Sequence, residues 1–311
     1  MTTFSAAGGD PLPAGSPIGS RPPHRASMKA ASPRLRVVDP SPSRRLALRE
    51  AGVAPDLRLK ANQLRGLVID VAYQAHVGHI ASCLSIVDSI VATLSVLDLD
   101  RDTFILSKGH AALALFGGLY QKGLISRDDL FSYCADDSRF GVHPDHRVPG
   151  IRFTTGSLGY GLGFAAGVSL ARQVARAPGE CVALLSDAEL NEGSTWEAIM
   201  FAGHHHLPLV AIIDVNGQQA LGKTRSVLDL QPLAEKFVAF GWQTDEVDGH
   251  DPAALRGCVQ DSARSGPRVV LAQTVAGHGV PFMEGRVEWH YLPLTEVQYV
   301  EAKRALRAAV P

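Results

Sequence analysis

The spacing of apolar residues predicts that the folded part of the chain begins near Asp56 with helices. Apolar positions recur every three or four residues over two successive stretches, at Leu57, Ala61, Leu64, Leu67, Val68, Val71 and Ala75 and then at Leu84, Val87, Ile90, Val91 and Leu94. Such spacing collects the apolar side chains on one face of an α-helix. We therefore expect both stretches to pack that face against a core.

Short apolar runs without alternation predict strands further along the chain. They occupy residues 104–106, 182–185, 209–213 and 269–272. Unbroken runs of this length are typical of strands that a parallel sheet buries on both faces. Helical stretches at 161–176, 194–206 and 252–265 separate several of these runs, and no internal repeat is visible. The predicted fold class is α/β, with a doubly wound and mainly parallel sheet.

Proline and charge set the first part of the chain apart. Residues 1–45 contain eight of the nineteen prolines, and seven basic residues against two acidic ones. A segment with so few apolar side chains cannot offset the entropy cost of ordering. We predict a disordered Pro/Arg-rich tail over residues 1–50 and one domain over 51–311. A transit peptide and an over-extended start before Met28 remain alternatives for the tail, to which we assign no function.

The overall composition excludes several classes of protein. Apolar residues make up 46% of the chain and charged residues 20%, which argues against a wholly disordered, collagen-like or coiled-coil chain. The net charge of −1 provides no global field to attract nucleic acid or a membrane surface. No apolar run approaches the ~20 residues of a membrane span, and the four cysteines lack zinc-site spacing. We expect reduced cysteines and a cytoplasmic protein that binds neither nucleic acid nor membrane.

Polar residues follow two of the predicted strands. Asp187 comes just after the run 182–185, and Asn216 just after the run 209–213. In doubly wound folds the ligand site lies at the carboxyl ends of the strands. A carboxylate and an amide oxygen at neighbouring strand ends could together bind a hard cation such as Mg²⁺ or Ca²⁺. The spacing alone also fits a helix cap at Asp187 and a turn at Asn216.

A glycine-rich turn and several histidines add candidate chemistry. The turn, residues 156–163, opens a predicted helix and would let the backbone approach a ligand closely, although its spacing is not that of a dinucleotide fingerprint. His79, His110, His143 and His290 follow glycine or lie near turns. Histidines in such places can move protons or donate to phosphate oxygens at neutral pH. Each one alone also fits an ordinary surface or hydrogen-bonded histidine.

Taken together, these segments resemble the transketolase family. The matching segments, in chain order, are Gly78-His79, Leu106–Ala112, His143-Pro144, Thr154–Gly161, Asp187–Gly193, Trp196–Ala198, Asn216-Gly217 and the stretch from Thr274 to His290. The resemblance extends from about Asp56 to Tyr291. It is to the N-terminal, diphosphate-binding half, as found where transketolase is split into two chains. It implies the thiamine diphosphate-binding fold for residues 51–311.

The resemblance also implies roles for individual residues. Mg²⁺ (or Ca²⁺) would be held by the side chains of Asp187 and Asn216 and by the carbonyl of Gln218. The residues implied to bind thiamine diphosphate are His110, Gly156, Ser157, Leu158, Asp187, Ala188, Glu189, Asn216 and His290. The implied catalytic residues are His79, His110, His143, His290 and Glu192. Glu192 and Glu197 match acidic positions that link paired active sites.

Three positions depart from the family pattern. Ser186 and Ala188 stand on either side of Asp187 where the family usually has glycines. Tyr160 replaces a glutamine in the glycine-rich turn, and His278 stands where related split subunits often have lysine. These changes bear on the substrate more than on cofactor binding, because an amide donor survives at Ala188.

The resemblance implies one subunit of a two-chain, thiamine diphosphate-dependent transketolase that transfers a two-carbon ketol unit from a ketose to an acceptor. A partner chain would supply the pyrimidine-binding domain and its catalytic glutamate, in an α2β2 heterotetramer. We expect the partner to cover the turn at Tyr160 and the helix with Trp196, Ile199 and Met200. The alternatives are an α-type subunit of a 2-oxo acid dehydrogenase-like complex and a non-catalytic cofactor-binding subunit.

Overall fold

The computed structural model describes residues 35–37, 53–260 and 266–308, and these contain a six-stranded sheet. The strands are, in chain order, β1 (Leu35–Val37), β2 (Thr103–Leu106), β3 (Cys181–Ser186), β4 (Val210–Val215), β5 (Gln218–Gln219), β6 (Gly222–Lys223), β7 (Gln243–Asp248) and β8 (Arg268–Gln273). The sheet has the order β1-β7-β8-β4-β3-β2 with every neighbouring pair parallel, and β5 and β6 form a separate antiparallel pair. The predicted α/β class with a mainly parallel sheet is confirmed.

Helices connect the strands and cover both faces of the sheet. They are α1 (Val53–Ala75), α2 (Ile80–Ser85), α3 (Val87–Leu94), α4 (Ala112–Gln121), α5 (Arg127–Phe131), α6 (Gly161–Ala175), α7 (Gly193–His204), α8 (Thr224–Val227), α9 (Leu233–Ala239), α10 (Pro252–Gln260) and α11 (Glu296–Ala308). Short 3₁₀ turns occupy Gly109–Ala111, Ala188–Asn191 and Val287–His290. Each of these turns follows a strand or precedes a helix.

Two hydrophobic cores lie on opposite sides of the sheet. On β3, Val182 and Leu184 pack into the core that contains α1–α4 and α10, whereas Ala183 and Leu185 pack into the core that contains α6, α7 and α9. Successive side chains of a strand point to opposite faces. Because both faces are covered, every position of this strand is apolar up to Leu185, which explains why the sequence pattern lacks alternation.

The observed elements differ from the predicted ones in three places. The second predicted helical stretch is two helices, α2 and α3, which meet at Ile86, where the backbone leaves helical geometry. The apolar pattern does not predict strand β7, because its sequence, QTDEVD, is mostly polar. The predicted helix at 252–265 is observed over Pro252–Gln260, and residues 261–265 lie outside the described residues.

The predicted tail falls almost wholly outside the described residues. Within residues 1–50 the structure describes only Leu35–Val37, which form β1 and pair with β7. Disorder of the segment stays a prediction. No helix among the described residues is long and apolar enough to cross a membrane. The four cysteines form no disulfide, and the cytoplasmic location stays a prediction.

A buried ion pair joins the elements at the carboxyl edge of the sheet. The Lys108 ammonium, two residues beyond β2, lies 2.5 Å from the carboxylate of Asp214 on β4. Both side chains are almost fully buried, with 1% and 0% of their surface exposed. Removing two charges from water costs several kcal/mol per ion unless hydrogen bonds complete their shells.

Three further side chains donate those hydrogen bonds to Asp214. Ser85, at the end of α2, donates to its carboxylate at 2.8 Å, and the Asn216 side-chain amide donates at 2.9 Å. Thr274, which follows β8, donates to the other oxygen. The carboxylate thus connects α2, the loop after β2 and the ends of β4 and β8. This arrangement fixes the loops that carry the candidate site.

Replacing Lys108 by methionine should lower the free energy of unfolding by about 3–5 kcal/mol, because Asp214 would keep a buried charge without its counter-ion. Urea denaturation measures the change. The double variant Lys108→Met/Asp214→Asn should recover part of the loss, since it leaves no buried charge.

Lys60→Met is the matched control. Lys60 pairs with Asp56 on the surface of α1, with half of its side chain exposed, so its loss should change stability by less than about 1 kcal/mol. A Lys108→Met variant as stable as this control would contradict the role of the pair.

Candidate active site at the carboxyl ends of the strands

Asp187 and Asn216 lie on neighbouring loops, as the sequence predicts for adjacent strands. Asp187 directly follows β3 and Asn216 directly follows β4, and these strands pair in parallel up to Ser186 and Asp214. The backbone N–H of Gly217 donates to Oδ2 of Asp187 at 2.9 Å, which ties the two loops together. The structure therefore places a carboxylate next to a carboxamide at this edge.

The environment of Asp187 suits a carboxylate that binds a cation. Burial and the nearby charge of Asp214 raise the pKa of Asp187 to about 7, although the amides of Gly217 and Ala188 and the charge of Lys108 oppose the shift. A divalent cation in contact with the carboxylate would favour its ionised form. The raised pKa is thus the cost of burying this acid without a counter-charge of its own.

Oxygen and nitrogen atoms of the neighbouring residues complete a polar wall. The side-chain oxygen of Asn216 accepts from the backbone N–H of Gln218 at 2.9 Å, which shapes the turn after β4. Asn191 accepts from the Gln219 side chain at 3.1 Å, while its own buried Nδ2 has no partner among the described residues. An orphaned buried donor of this kind is satisfied by a ligand with acceptor oxygens, such as a diphosphate.

A cavity of about 180 Å³ opens in front of these loops. It is lined by Ala81, Ser82, Lys108, His110, Leu158, Ser186, Ala188, Asn191, Glu192, Asn216, Gln218, Gln219, Ala220, Ala276, Arg286 and His290. Seven of the predicted site residues are in this lining, namely His110, Leu158, Ala188, Glu192, Asn216, Gln218 and His290. The remaining predicted residues lie outside the lining, with Gly156 and Ser157 exposed and Asp187 buried.

Three of the predicted histidines form one cluster. The ring centroids of His79, His110 and His290 lie 5.0–5.5 Å apart. The backbone N–H of His79 donates to the carbonyl of His290 at 3.2 Å, and Ser82 lies 3.3 Å from Nδ1 of His290. His143 approaches the same region, because a Cβ built on Gly109 would lie 3.1 Å from its ring. Residues from four distant segments thus meet, and two of them, His110 and His290, line the cavity.

The surroundings of the clustered histidines favour their neutral forms. Burial, followed by the charge of Lys108 and the neighbouring histidines, lowers the pKa of His110 well below its usual value. Burial, His79 and Lys108 lower the pKa of His290 to about 4, and the pKa of His79 is also lowered, mainly by burial. A neutral imidazole has one N–H donor and one acceptor nitrogen. Each ring can therefore accept a proton from a hydroxyl or donate to an oxygen.

Glu189 holds the glycine-rich turn. Its carboxylate accepts from the hydroxyl of Ser107 and from the backbone N–H of Gly159, the latter at 2.8 Å. Burial raises the pKa of Glu189, although these hydrogen bonds oppose the shift. Gly159 has a φ of 91°, and a Cβ there would lie 2.9 Å from Glu192. The carboxylate of Glu189 thus faces the turn. Its contact with a cofactor stays a prediction.

The amide of Ala188 is also engaged within the loop. It donates to Oδ1 of Asp187 at 2.9 Å, while the residue itself lines the cavity. Ser186 accepts from the backbone N–H of Glu189 at 3.1 Å and so shapes the 3₁₀ turn. With Ser186 and Ala188 in place of the family's usual glycines, the carboxylate of Asp187 therefore still lies at the end of β3.

A second cluster of metal-ligating side chains lies elsewhere. Asp88, His250 and His278 place one ligand atom each within 4.8 Å of one another. The Val275 N–H donates to Nε2 of His250, which fixes the proton on Nδ1, and that nitrogen donates to Asp88 at 3.0 Å. Arg65 also pairs with Asp88. Both nitrogens of His250 are engaged, so this cluster is less suited to a cation than the strand-end loops.

Sequence reasoning missed Lys108 and Asp214 as determinants of the site. Lysine is almost never fully buried unless it is paired, and Lys108 lies in a stretch that is otherwise nearly all apolar. That contrast was the available signal. Arg286, which also lines the cavity, had no distinguishing pattern in the sequence.

Comparisons with known proteins identify relatives over most of the chain. The family model described as "Transketolase, thiamine diphosphate binding domain" matches residues 57–309. The 6-deoxy-6-sulfo-D-fructose transketolase subunit SqwG of a Clostridium species is 35% identical over 260 residues, covering 79% of this chain and 94% of the relative. An apulose-4-phosphate transketolase subunit from Phocaeicola vulgatus is 34% identical, covering 80% of this chain and 92% of the relative.

A solved transketolase has the same fold over part of its length. The crystal structure of transketolase from Campylobacter jejuni superimposes with a TM-score of 0.76 at 27% sequence identity, covering 81% of this chain and 42% of that one. The chain therefore spans about two fifths of that transketolase but nearly all of the two related subunits. From the fold, the family match and these relatives, we conclude that the chain belongs to the transketolase family and contains its thiamine diphosphate-binding domain.

Proposed function

We propose that this chain is the diphosphate- and cation-binding subunit of a two-chain transketolase that transfers a two-carbon ketol unit from a ketose to an acceptor. The observation that supports this most directly is the pairing of Asp187 and Asn216 at the ends of β3 and β4, beside a cavity lined by His110 and His290. Membership of the family favours ketol transfer over the decarboxylation chemistry of 2-oxo acid dehydrogenases.

The proposed ligands are thiamine diphosphate and Mg²⁺ or Ca²⁺, and the residues present fit them. Asp187 and Asn216 would hold the cation with the carbonyl of Gln218, since oxygen ligands suit these metals. His110 and His290 would contact the diphosphate, and the amide of Ala188 would do so on leaving its hydrogen bond to Oδ1 of Asp187. The cofactor, when bound, supplies the nucleophilic carbon and the electron sink for C–C bond cleavage.

The histidines of this chain would move protons on the substrate. Cleavage of a ketose next to its carbonyl requires a proton to leave a hydroxyl, and the carbonyl oxygen of the acceptor must gain a proton as it becomes a hydroxyl. Because the pKa values of His79, His110 and His290 are lowered, mainly by burial, the neutral ring is favoured in each and has a nitrogen that can take such a proton. His143 and Glu192 are proposed to act at the same entrance. Glu192 and Glu197 are proposed to connect this site with a second one in the assembly.

A partner chain is proposed to complete the active site. Two relatives are named as transketolase subunits, and this chain matches over 90% of each. By resemblance, the partner would carry the pyrimidine-binding domain with its catalytic glutamate, in an α2β2 assembly. The substrates named for those relatives differ, so we assign to this chain a ketose donor without naming it.

An apolar groove between α6 and α7 is the proposed partner surface. Its volume is about 760 Å³, and it is lined by residues that include Tyr160, Phe164 and Phe201. These three side chains are 59%, 46% and 41% exposed, which is unusual for large apolar residues so close together. Obligate interfaces are typically larger and more apolar than transient ones.

The structure corrects part of the predicted partner surface. Ile199 is fully buried in the core beneath α7, and the Trp196 indole donates to the carbonyl of Leu190 at 2.7 Å. Ile199 therefore faces inward and Trp196 packs partly against the same core, whereas Met200 is exposed, as predicted, together with Phe201. Tyr160 is exposed, in agreement with the expectation that it lies on the partner surface.

Asp187→Ala should lower ketol transfer by the reconstituted two-chain enzyme at least ~100-fold, because it removes the charged cation ligand. Binding of thiamine diphosphate with Mg²⁺, measured by titration calorimetry, should weaken in parallel. The activity and cofactor affinity of Asp187→Asn should lie between those of the wild type and Asp187→Ala, because the asparagine keeps one oxygen ligand. Activities are compared at matched protein concentration.

Asp128→Ala is the matched control. Asp128 is exposed in the first turn of α5, far along the chain from the strand ends, and its loss should leave activity and cofactor binding unchanged. Wild-type activity of Asp187→Ala at saturating cofactor would show that the cation binds elsewhere.

Phe201→Asp should prevent assembly with the partner chain, because it places a charge in an apolar interface. Size-exclusion chromatography with light scattering reports the mass of the mixture. Val174→Asp is the control, since Val174 lies on α6 outside the groove and is 77% exposed.

The isolated chain should show no ketol transfer. Assembly by Phe201→Asp, or robust turnover without a partner, would contradict the proposal.

A further inference from the structure

An arginine on the cavity wall has no partner among the described residues. Arg286 lines the cavity together with Ala188, Asn216 and Gln218. It is exposed, and no ion pair or side-chain hydrogen bond engages its guanidinium within the described part of the chain. An unpaired arginine needs no explanation on an open surface, but here it shares a wall with the proposed cation ligands.

The loop that carries Arg286 is held against the site. Trp289, three residues later, is buried and donates its indole N–H to the carbonyl of Phe282 at 3.1 Å. The backbone N–H of Arg286 donates to the carbonyl of Met283 at 3.2 Å. A Cβ built on Gly285 would lie 3.9 Å from the side-chain amide of Gln218. The backbone of Arg286 is therefore positioned by contacts that do not involve its own side chain.

The charges of the side chains that line the cavity set Arg286 apart from the other lining residues. The only other cationic side chain among the described lining residues is Lys108, and Asp214 neutralises it. Burial lowers the pKa values of His110 and His290, which favours the uncharged form of both rings. Glu192 is the one carboxylate among the described lining residues and forms no ion pair with Arg286, so Arg286 is the one positive charge in that lining without a counter-ion in contact.

We propose that Arg286 binds a phosphate group of a ligand in this cavity, which deepens the proposed function and rests on it. A guanidinium presents several N–H donors in a planar fork that matches phosphate oxygens. Two sources could supply the group, the diphosphate of the cofactor or a phosphate on the ketose. Because Arg286 lines the same cavity as Asn216 and Gln218, two of the proposed cation ligands, we expect it to bind the diphosphate of the cofactor.

The test uses Arg286→Gln and Arg286→Lys in the full chain assembled with its partner. Equilibrium binding of thiamine diphosphate at saturating Mg²⁺ should weaken about 10–100-fold in Arg286→Gln, the range expected when a charge-assisted hydrogen bond is lost. Arg286→Lys should retain part of the affinity, because it keeps the charge without the fork. Arg304→Gln, an exposed arginine on α11, is the control for net charge.

A second measurement distinguishes the two sources. If the KM for a phosphorylated ketose rises in Arg286→Gln while cofactor affinity is unchanged, Arg286 binds the phosphate of the substrate. If both quantities equal those of Arg304→Gln, the inference is wrong, although the proposed function stands as long as the wild type binds thiamine diphosphate. Failure of the wild type to bind thiamine diphosphate with Mg²⁺ would overturn both.

Discussion

The buried pair of Lys108 and Asp214 determines how the carboxyl edge of the sheet is built. An ion pair with 1% and 0% of its side chains exposed is stable only when hydrogen bonds complete it. Ser85, Asn216 and Thr274 provide them, and they come from three different elements. Because Asn216 is one of these donors, the geometry of the proposed cation site follows from the pair. The same lysine contributes to keeping the histidine cluster neutral.

Much of the fold could be predicted because its strands are buried on both faces. The runs within β2, β3, β4 and β8 are apolar at nearly every position, and parallel pairing then places Asp187 beside Asn216. Strand β7 could not be predicted in this way. Its buried Asp245 pairs with Arg268 of β8 at 2.9 Å, so tertiary pairing stabilises a strand that its own sequence does not predict. Which face of α7 is exposed also required the structure, since Ile199 and Met200 are both apolar neighbours.

The contacts within the histidine cluster cannot be predicted from local sequence patterns. His79 and His290 are more than 200 residues apart in the sequence, yet a backbone hydrogen bond joins them and their rings are 5.0 Å apart. No periodicity or spacing predicts such a contact, and the resemblance to transketolases alone suggested it. The reason these rings are neutral lies in burial and in the charge of Lys108, which only the packed structure reveals.

We propose that a divalent cation and a diphosphate bind at the ends of β3 and β4. The most direct measurement is a crystal structure of the chain with thiamine diphosphate and Mn²⁺, which shares the oxygen preference of Mg²⁺ and can be located by its anomalous scattering. We predict one strong peak in contact with the side chains of Asp187 and Asn216. A peak at Asp88, His250 and His278 instead, with none at the strand ends, would contradict it.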